Sequence, residues 1–155
     1  MKVRIVPSGS ERDPYLPLLL LADESEPQVR GYYQTGDLYA VDDEAGQPLG
    51  LVLTVAESDG STELKAVAVA EARHNQGIGR LLLAAVLADL RTRGVRRVTV
   101  GTASCGIGQL AFYQKAGFRL FSIERDFFTP TRGYPEGAEE NGIPLRDMVW
   151  MDQEL

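Results

Sequence analysis

Arg73-His74-Asn75-Gln76-Gly77-Ile78-Gly79-Arg80-Leu81-Leu82-Leu83 is the stretch whose reading decides the fold. Just before it, Leu64 to Ala70 is an alternating apolar run and reads as a strand. Inside it begins Ile78 to Leu90, whose apolar residues recur at helical spacing. Strand, tight glycine turn and helix therefore follow one another directly. Gly77 and Gly79 carry no Cβ, so a ligand can come close to this backbone. The first turn of the helix has N–H groups without intrahelical partners. Together with the helix dipole they make an anion site, and a pyrophosphate is its natural occupant.

Two familiar phosphate loops do not fit. A dinucleotide fingerprint needs a third glycine, and Leu82 stands there. A nucleoside-triphosphate loop ends in Gly-Lys-Ser/Thr, whereas Gly79 is followed by Arg80-Leu81.

The chain of 155 residues is long enough for one domain, residues 1–155, with one core. With 44% apolar and 25% charged residues it has the composition of a soluble globular protein. Cys105 is the only cysteine, which excludes an internal disulfide and fits a reducing cytoplasm. Met1 to Pro7 lacks the apolar core of a signal peptide, and no apolar run is long enough to span a bilayer. We therefore expect a cytoplasmic protein with no membrane partner. A formal net charge of −6 argues against duplex nucleic acid and mildly favours cationic amines.

Lys2 to Val6 reads as a short strand. Ser10 or Asp13 offers a cap and Pro14 a first turn for a helix that buries Tyr15 to Leu21. Pro27 to Tyr33 reads as a second short helix, opened by Ser25 or Glu26. Asp37 to Val41 and Leu49 to Val55 form a hairpin across an acidic turn, and Glu63 to Ala70 follows as the next strand. The helix from Gly77 runs to Arg93 and stops at Gly94. Val95 to Val100 is again a strand, so a parallel pair with a right-handed crossover is expected. Gly108 to Ala116 is a short helix, Gly117 its left-handed cap, and Phe118 to Arg125 a strand. Asp126 to Pro144 reads as a long loop, a kind that is usually functional or disordered. Leu145 to Trp150 closes the chain as a strand.

The glycine turn resembles motif A of the GCN5-related N-acetyltransferases, roughly Gln/Arg-x-x-Gly-x-Gly/Ala, with His74 at the Gln/Arg position. About thirty residues further on, Ala111-Phe112-Tyr113-Gln114-Lys115-Ala116-Gly117-Phe118 is similar to the family's motif B. The resemblance spans the chain and is strongest over residues 63–123. It implies an α/β fold: a mixed, mostly antiparallel central sheet of about seven strands, flanked by about four helices. A V-shaped opening is expected between the two central parallel strands.

The resemblance further implies acetyl transfer from acetyl-CoA to an amine, with no metal. His74, Asn75, Gln76, Gly77, Ile78, Gly79 and Arg80 map to the pyrophosphate loop. Ser104 stands where the family often has an asparagine that contacts the cofactor arm. Val67, Ala68 and Val69 map to the strand whose backbone N–H groups face the acetyl carbonyl, Val69 being the best single choice. His74 is the only histidine, and without a second ligand motif a metal site is not expected.

An alkylamine has a pKa near 10.4, so its deprotonated form costs about 4–5 kcal/mol at pH 7. A base is therefore worth having, and Glu63 is the candidate, since family members with a glutamate base carry it at this spacing. The alternative is a strand glutamate paired across the sheet with a lysine or arginine. Tyr113 is the candidate acid for the leaving thiolate. Protonating that thiolate is worth only about 2 kcal/mol, so the acid should matter less than the base. The alternative for Tyr113 is helix–sheet packing with its hydroxyl on a backbone carbonyl. No well-placed nucleophile appears, which favours direct transfer in a ternary complex. A small-molecule amine is the expected acceptor. A protein lysine or N-terminus, or a non-catalytic acyl-CoA sensor, are the other readings. Homodimers are common in the family.

Overall fold

In the computed structural model, which describes residues 1–155, nine strands and four α-helices follow one another along the chain. They are β1 (Arg4–Val6), α1 (Leu16–Ala22), α2 (Glu26–Tyr32), β2 (Asp37–Asp42), β3 (Pro48–Ala56), β4 (Thr62–Val69) and α3 (Ile78–Thr92). Then come β5 (Arg97–Ala103), α4 (Ile107–Lys115), β6 (Arg119–Glu124), β7 (Glu139–Glu140), β8 (Ile143–Pro144) and β9 (Met148–Glu154). Seven strands make the main sheet in the order β1-β2-β3-β4-β5-β9-β6. Only β4 and β5 run parallel, and every other neighbour is antiparallel. The mixed, mostly antiparallel sheet of seven strands with four helices is the one expected.

Alternation along the strands sorts the core onto two faces. Leu38, Ala40, Leu51, Leu53, Ala66 and Ala68 pack with α1 and α2. Tyr39, Val41, Val52, Leu64, Val98, Val100, Val149 and Met151 pack with α3 and α4. Along β4 the alternation breaks once. Leu64 belongs to the α3/α4 face and Ala66 to the other, because the register with β3 slips between Leu53 and Thr54. Lys65 is the extra residue of this bulge.

The boundaries differ from expectation where side chains or caps compete for residues. Residues Ser10–Tyr15 form a 3-10 turn that leads into α1 without a side-chain cap. Ser25 caps α2, its Oγ accepting from the Gln28 N–H at 3.4 Å. The Val95 N–H donates to the Leu90 carbonyl and the Gly94 N–H to that of Arg91, so the end of α3 uses residues read as strand. β9 continues to Glu154 because β5 and β6 flank it on both sides. The long loop also holds a small hairpin, β7–β8, turning at Asn141-Gly142, both at positive φ.

Arg12 joins the first third of the chain. It is 2% exposed and meets no carboxylate within ion-pair distance. Its Nε donates to the Val6 carbonyl at 3.1 Å, Nη1 to those of Tyr33 and Thr35 at 3.2 and 2.8 Å, and Nη2 to that of Gly36 at 2.9 Å. One guanidinium thus ties the end of β1 to the end of α2 and the turn into β2. Replacing Arg12 by Met is expected to cost about 3 kcal/mol in urea denaturation, because the carbonyls stay buried without donors. Lys recovers only part, having three donors for four acceptors.

Candidate active site

The site begins where β4 leaves β5. The two strands pair at Thr62↔Val98, Glu63↔Thr99 and Leu64↔Val100, and nowhere beyond, although β4 continues to Val69 and β5 to Ala103. The sheet is open from there on, which is the expected V. The Ala70 N–H donates to the Leu49 carbonyl of the neighbouring strand. Bonded and non-bonded pairs alternate in an antiparallel ladder, so Ala68, opposite Leu51, also turns its N–H towards β3. Val67 and Val69 turn theirs into the opening. This corrects the expected set: Ala68 is held in the ladder and offers no donor to a carbonyl lying in the V.

The glycine turn closes the open end of β4. A 3-10 turn at Glu71–Arg73 leads into it. Asn75 and Gly77 both have positive φ, 62° and 79°. Gly77 is the left-handed N-cap of α3, a conformation that strains any residue with a Cβ. No side chain caps this helix, so the first N–H groups of Ile78, Gly79 and Arg80 have no side-chain partner. His74 is exposed, but its ring is engaged: Nε2–H donates to the Val69 carbonyl at 2.8 Å. The imidazole braces the turn against β4.

Between α3 and α4 lies a cleft of about 770 Å³. Arg80 and Lys115 are its two cations, and Leu83, Ala84, Ala111 and Phe112 line it. Tyr113 points the other way, into the core beneath α4, with its ring edge-on to Phe112 and Phe118. Burial alone drives its phenol pKa far up, so it keeps its proton and remains a donor. This placement is the helix–sheet packing of the alternative reading, with the ring held by Phe112 and Phe118. Ser104 sits between β5 and α4, where its N–H donates to the Asp147 carbonyl at 2.9 Å. It does not line the cleft.

Glu63 lies on the opposite face, with α1 and α2. Its side chain is 15% exposed, and Lys65 Nζ stands 3.7 Å from Oε2. Burial raises its pKa above the ordinary carboxylate range; Lys65 opposes that shift and the Glu57 carboxylate adds to it. Lys65 also lies over the Tyr32 ring, 5.2 Å from its centroid. The Tyr33 hydroxyl donates to Asp13 Oδ1 at 3.2 Å.

Asp23, which the sequence did not single out, holds this wall together. Its Oδ1 accepts from the Tyr134 hydroxyl at 2.8 Å and the Ser25 N–H at 3.1 Å, and Oδ2 accepts from Tyr32 at 3.1 Å. The Ser25 hydroxyl donates to the Arg132 carbonyl at 2.5 Å. A Cβ at Gly133 would collide with that Ser25 oxygen, so glycine is required there. Tyr134 is packed by Phe127 and Phe128. The start of the 126–144 loop is thus fastened to the α1–α2 turn beside Glu63. Asp23 and Tyr134 are 111 positions apart, and no local pattern joins them.

A sheet parted between its two parallel strands, with a phosphate-type turn after the first of them, defines an acyltransferase architecture. Residues 9–118 match the acetyltransferase (GNAT) family, and the chain belongs to that family. It is 36% identical over 149 residues to the uncharacterized N-acetyltransferase YvbK of Bacillus subtilis (strain 168), covering 96% of this chain and 94% of that protein. An IAA acetyltransferase from Bacillus cereus ATCC 14579 superposes with a TM-score of 0.86 at 35% identity, over 99% of both chains. A GNAT family acetyltransferase from Elizabethkingia anophelis, solved with acetyl-CoA bound, superposes at 0.87 and 35% identity, over 99% of this chain and 98% of that one. The protein is an acetyltransferase.

Removing the Asp23 carboxylate frees two tyrosine hydroxyls and the loop. Hydrogen bonds to a charged group contribute about 1.5–3 kcal/mol. Asp23→Ala should therefore raise amide exchange across residues 129–146 by about tenfold or more, leaving β3 and β4 protected. Unchanged loop exchange would show that Asp23 does not fasten it.

Proposed function

We propose that this acetyltransferase moves the acetyl group of acetyl-CoA directly to a primary amine, with a small molecule as acceptor. The observation that supports this most is the parting of β4 from β5, with Glu63 on one face of the sheet and the α3/α4 cleft on the other. Acetyl-CoA supplies an acetyl group activated as a thioester. The backbone N–H groups of the 74–80 turn and Arg80 receive the pyrophosphate, and the α3/α4 cleft receives part of the cofactor. Ile78 and Gly79 serve through their backbone. Ser104, in the link between β5 and α4, borders the cofactor arm outside the α3/α4 cleft, and Asn75 and Gln76 shape the turn.

On the α1/α2 face Glu63 takes the proton of the amine, directly or through a water. Its raised pKa makes it a stronger base than an exposed glutamate. The N–H groups of Val67 and Val69 hold the negative charge that develops on the acetyl oxygen. Tyr113, kept protonated by burial, gives a proton to the leaving sulfur. Direct transfer is favoured over an acetylated enzyme because Cys105 is buried and its thiol pKa is pushed up by that burial. Tyr32, Tyr134 and Lys65 frame the acceptor side.

Calorimetric titration comes first, with acetyl-CoA, CoA and NAD run side by side. We expect micromolar binding of acetyl-CoA, weakened about tenfold or more by Gly79→Glu. A glutamate there sets a negative charge beside the phosphates, and its Cβ sits 3.4 Å from the Phe112 ring. A folded wild-type protein that ignores acetyl-CoA would sink the proposal.

Small amines, lysine peptides and IAA are then compared by thiol release. Glu63→Gln should lower kcat about 100-fold or more while acetyl-CoA affinity holds, and Tyr113→Phe should lower it less. The wild-type rate should fall as pH drops through the raised Glu63 pKa, and that limb should vanish in Glu63→Gln. Stability runs the other way. A carboxyl whose folded pKa is raised stabilises the fold at low pH and loses that contribution as pH rises through it, so Glu63→Gln should melt no lower at neutral pH. Turnover of peptides but of no small amine would overturn the small-acceptor reading.

A further inference from the structure

Lys65 is a primary amine rooted at the mouth of the opening. It follows Leu64, the last residue of β4 that pairs with β5. Its Nζ lies 3.7 Å from Glu63 Oε2 and 5.2 Å from the centroid of the Tyr32 ring. Tyr32 belongs to α2, so this amine is on the α1/α2 side of the sheet, together with Glu63. Val67, the first residue whose N–H turns into the opening, is two positions on, about 7 Å along the strand. The flexible four-carbon stem of a lysine sweeps such a distance.

The choice of lysine at this place is informative. The chain has thirteen arginines and three lysines, Lys2, Lys65 and Lys115. Every other ion pair takes its cation from an arginine: Arg4, Arg30, Arg93, Arg97 or Arg132. A guanidinium grips a carboxylate with a rigid fork and does not lose its proton. An ammonium can give up a proton and become a nucleophile. Lys65 is not locked either. Its side chain is 35% exposed, and 3.7 Å is longer than a hydrogen bond, so little is lost when it leaves Glu63. Lys2 and Lys115 are also exposed, but neither is near Glu63. Lys2 precedes β1 at the edge of the sheet, and Lys115 lies beside the cleft on the opposite face.

We propose that Lys65 is an acetyl acceptor of its own enzyme: with acetyl-CoA bound and no free amine on the acceptor side, the acetyl group passes to Lys65 Nζ. This rests on the reading of acetyl-CoA as donor and Glu63 as base. Glu63 takes a proton from the ammonium, and the freed electron pair on nitrogen attacks the acetyl carbon. A nitrogen–carbon bond forms, the carbon–sulfur bond breaks, and the sulfur leaves with a proton from Tyr113. Of the three ammonium protons, one passes through Glu63 to water, one stays on the new amide, and one replaces, through water, the proton that Tyr113 gave. The amide carries no charge, so the ion pair with Glu63 is lost.

The test is incubation of the ligand-free protein with acetyl-CoA and no amine, followed by peptide mass spectrometry. Lys65 should gain one acetyl group at a rate independent of protein concentration, about tenfold or more faster than Lys2 and Lys115. Unfolding the chain in urea should erase that preference. Glu63→Gln should slow Lys65 about tenfold or more while Lys2 and Lys115 react as before, with acetyl-CoA affinity as the check on folding. Lys65→Arg should take up no more acetyl than Lys2 and Lys115 account for. A Lys65 rate equal to that of the other two lysines, unaffected by Glu63→Gln, or rising with protein concentration overturns the proposal. Acetylation of the small amines and peptides, run in parallel, separates the two readings. If they are acetylated with dependence on Glu63 while Lys65 stays unmodified, self-acetylation alone fails. If acetyl-CoA binds and neither they nor Lys65 receive its acetyl group, both readings fail.

Discussion

The molecule depends on a sheet that is closed for three residues between its parallel strands and open after them. Unpaired backbone N–H and C=O groups in the middle of a sheet are costly, so a gap of this kind needs support. Two features supply it here. The bulge at Lys65 re-aims β4 just past its last pairing with β5. His74 then donates to the Val69 carbonyl, one of the groups that the gap leaves without a strand partner. The family motif resembled here has Gln or Arg at this position, and the histidine keeps a donor there. The N–H groups of Val67 and Val69 remain, pointing into the opening. A backbone left unsatisfied by the fold becomes a pair of donors fixed before any ligand arrives.

The same gap explains why the candidate base and acid carry such different environments. Glu63 and Tyr113 stand on opposite faces of the sheet, each desolvated by its own helix layer. Burial pushes both pKa values upward, and the sign has opposite uses. For a carboxylate it strengthens the base. For a phenol it secures the proton. Lys65 tempers the first effect by standing 3.7 Å from Glu63, which keeps an ionised form accessible. No charge tempers the second, since burial is its only cause.

The donor side was largely legible in the chain, because its signals are local. Gly77 and Gly79 between an alternating strand and a helical stripe, then Ala111 to Phe118, are contiguous patterns whose structure follows from their own backbone needs. The sheet order and the opening followed from the family resemblance those patterns carry. What was not legible depends on through-space partners. Whether the Ala68 N–H faced the gap required the register with β3. His74 read as a cofactor contact, and its bond to Val69 needed the actual curl of the turn. Residues 145–147, read as strand, are not in β9, which instead runs on to Glu154 between two neighbours. Asn141-Gly142 did carry a hairpin signal, and a hairpin is there, but two-residue strands are too short for periodicity to expose.

This contrast bears on how such an enzyme changes its acceptor. The half that carries the glycine turn rests on apolar packing among α3, α4 and the sheet. The acceptor half rests on a few polar links across long stretches of chain: Asp23 to Tyr134, Ser25 to Arg132, and Lys65 over Tyr32. Polar links of this kind are individually replaceable, because each ties a loop rather than a core layer. Substitution in residues 23–33 or 126–144 can therefore reshape the wall beside Glu63 without disturbing the glycine turn or the amides in the gap. Arg12 marks the boundary between the two regimes. It anchors the end of α2 to carbonyls of β1 and of the turn into β2, so the acceptor wall can vary in its side chains while the helix that carries Tyr32 keeps its place against the sheet.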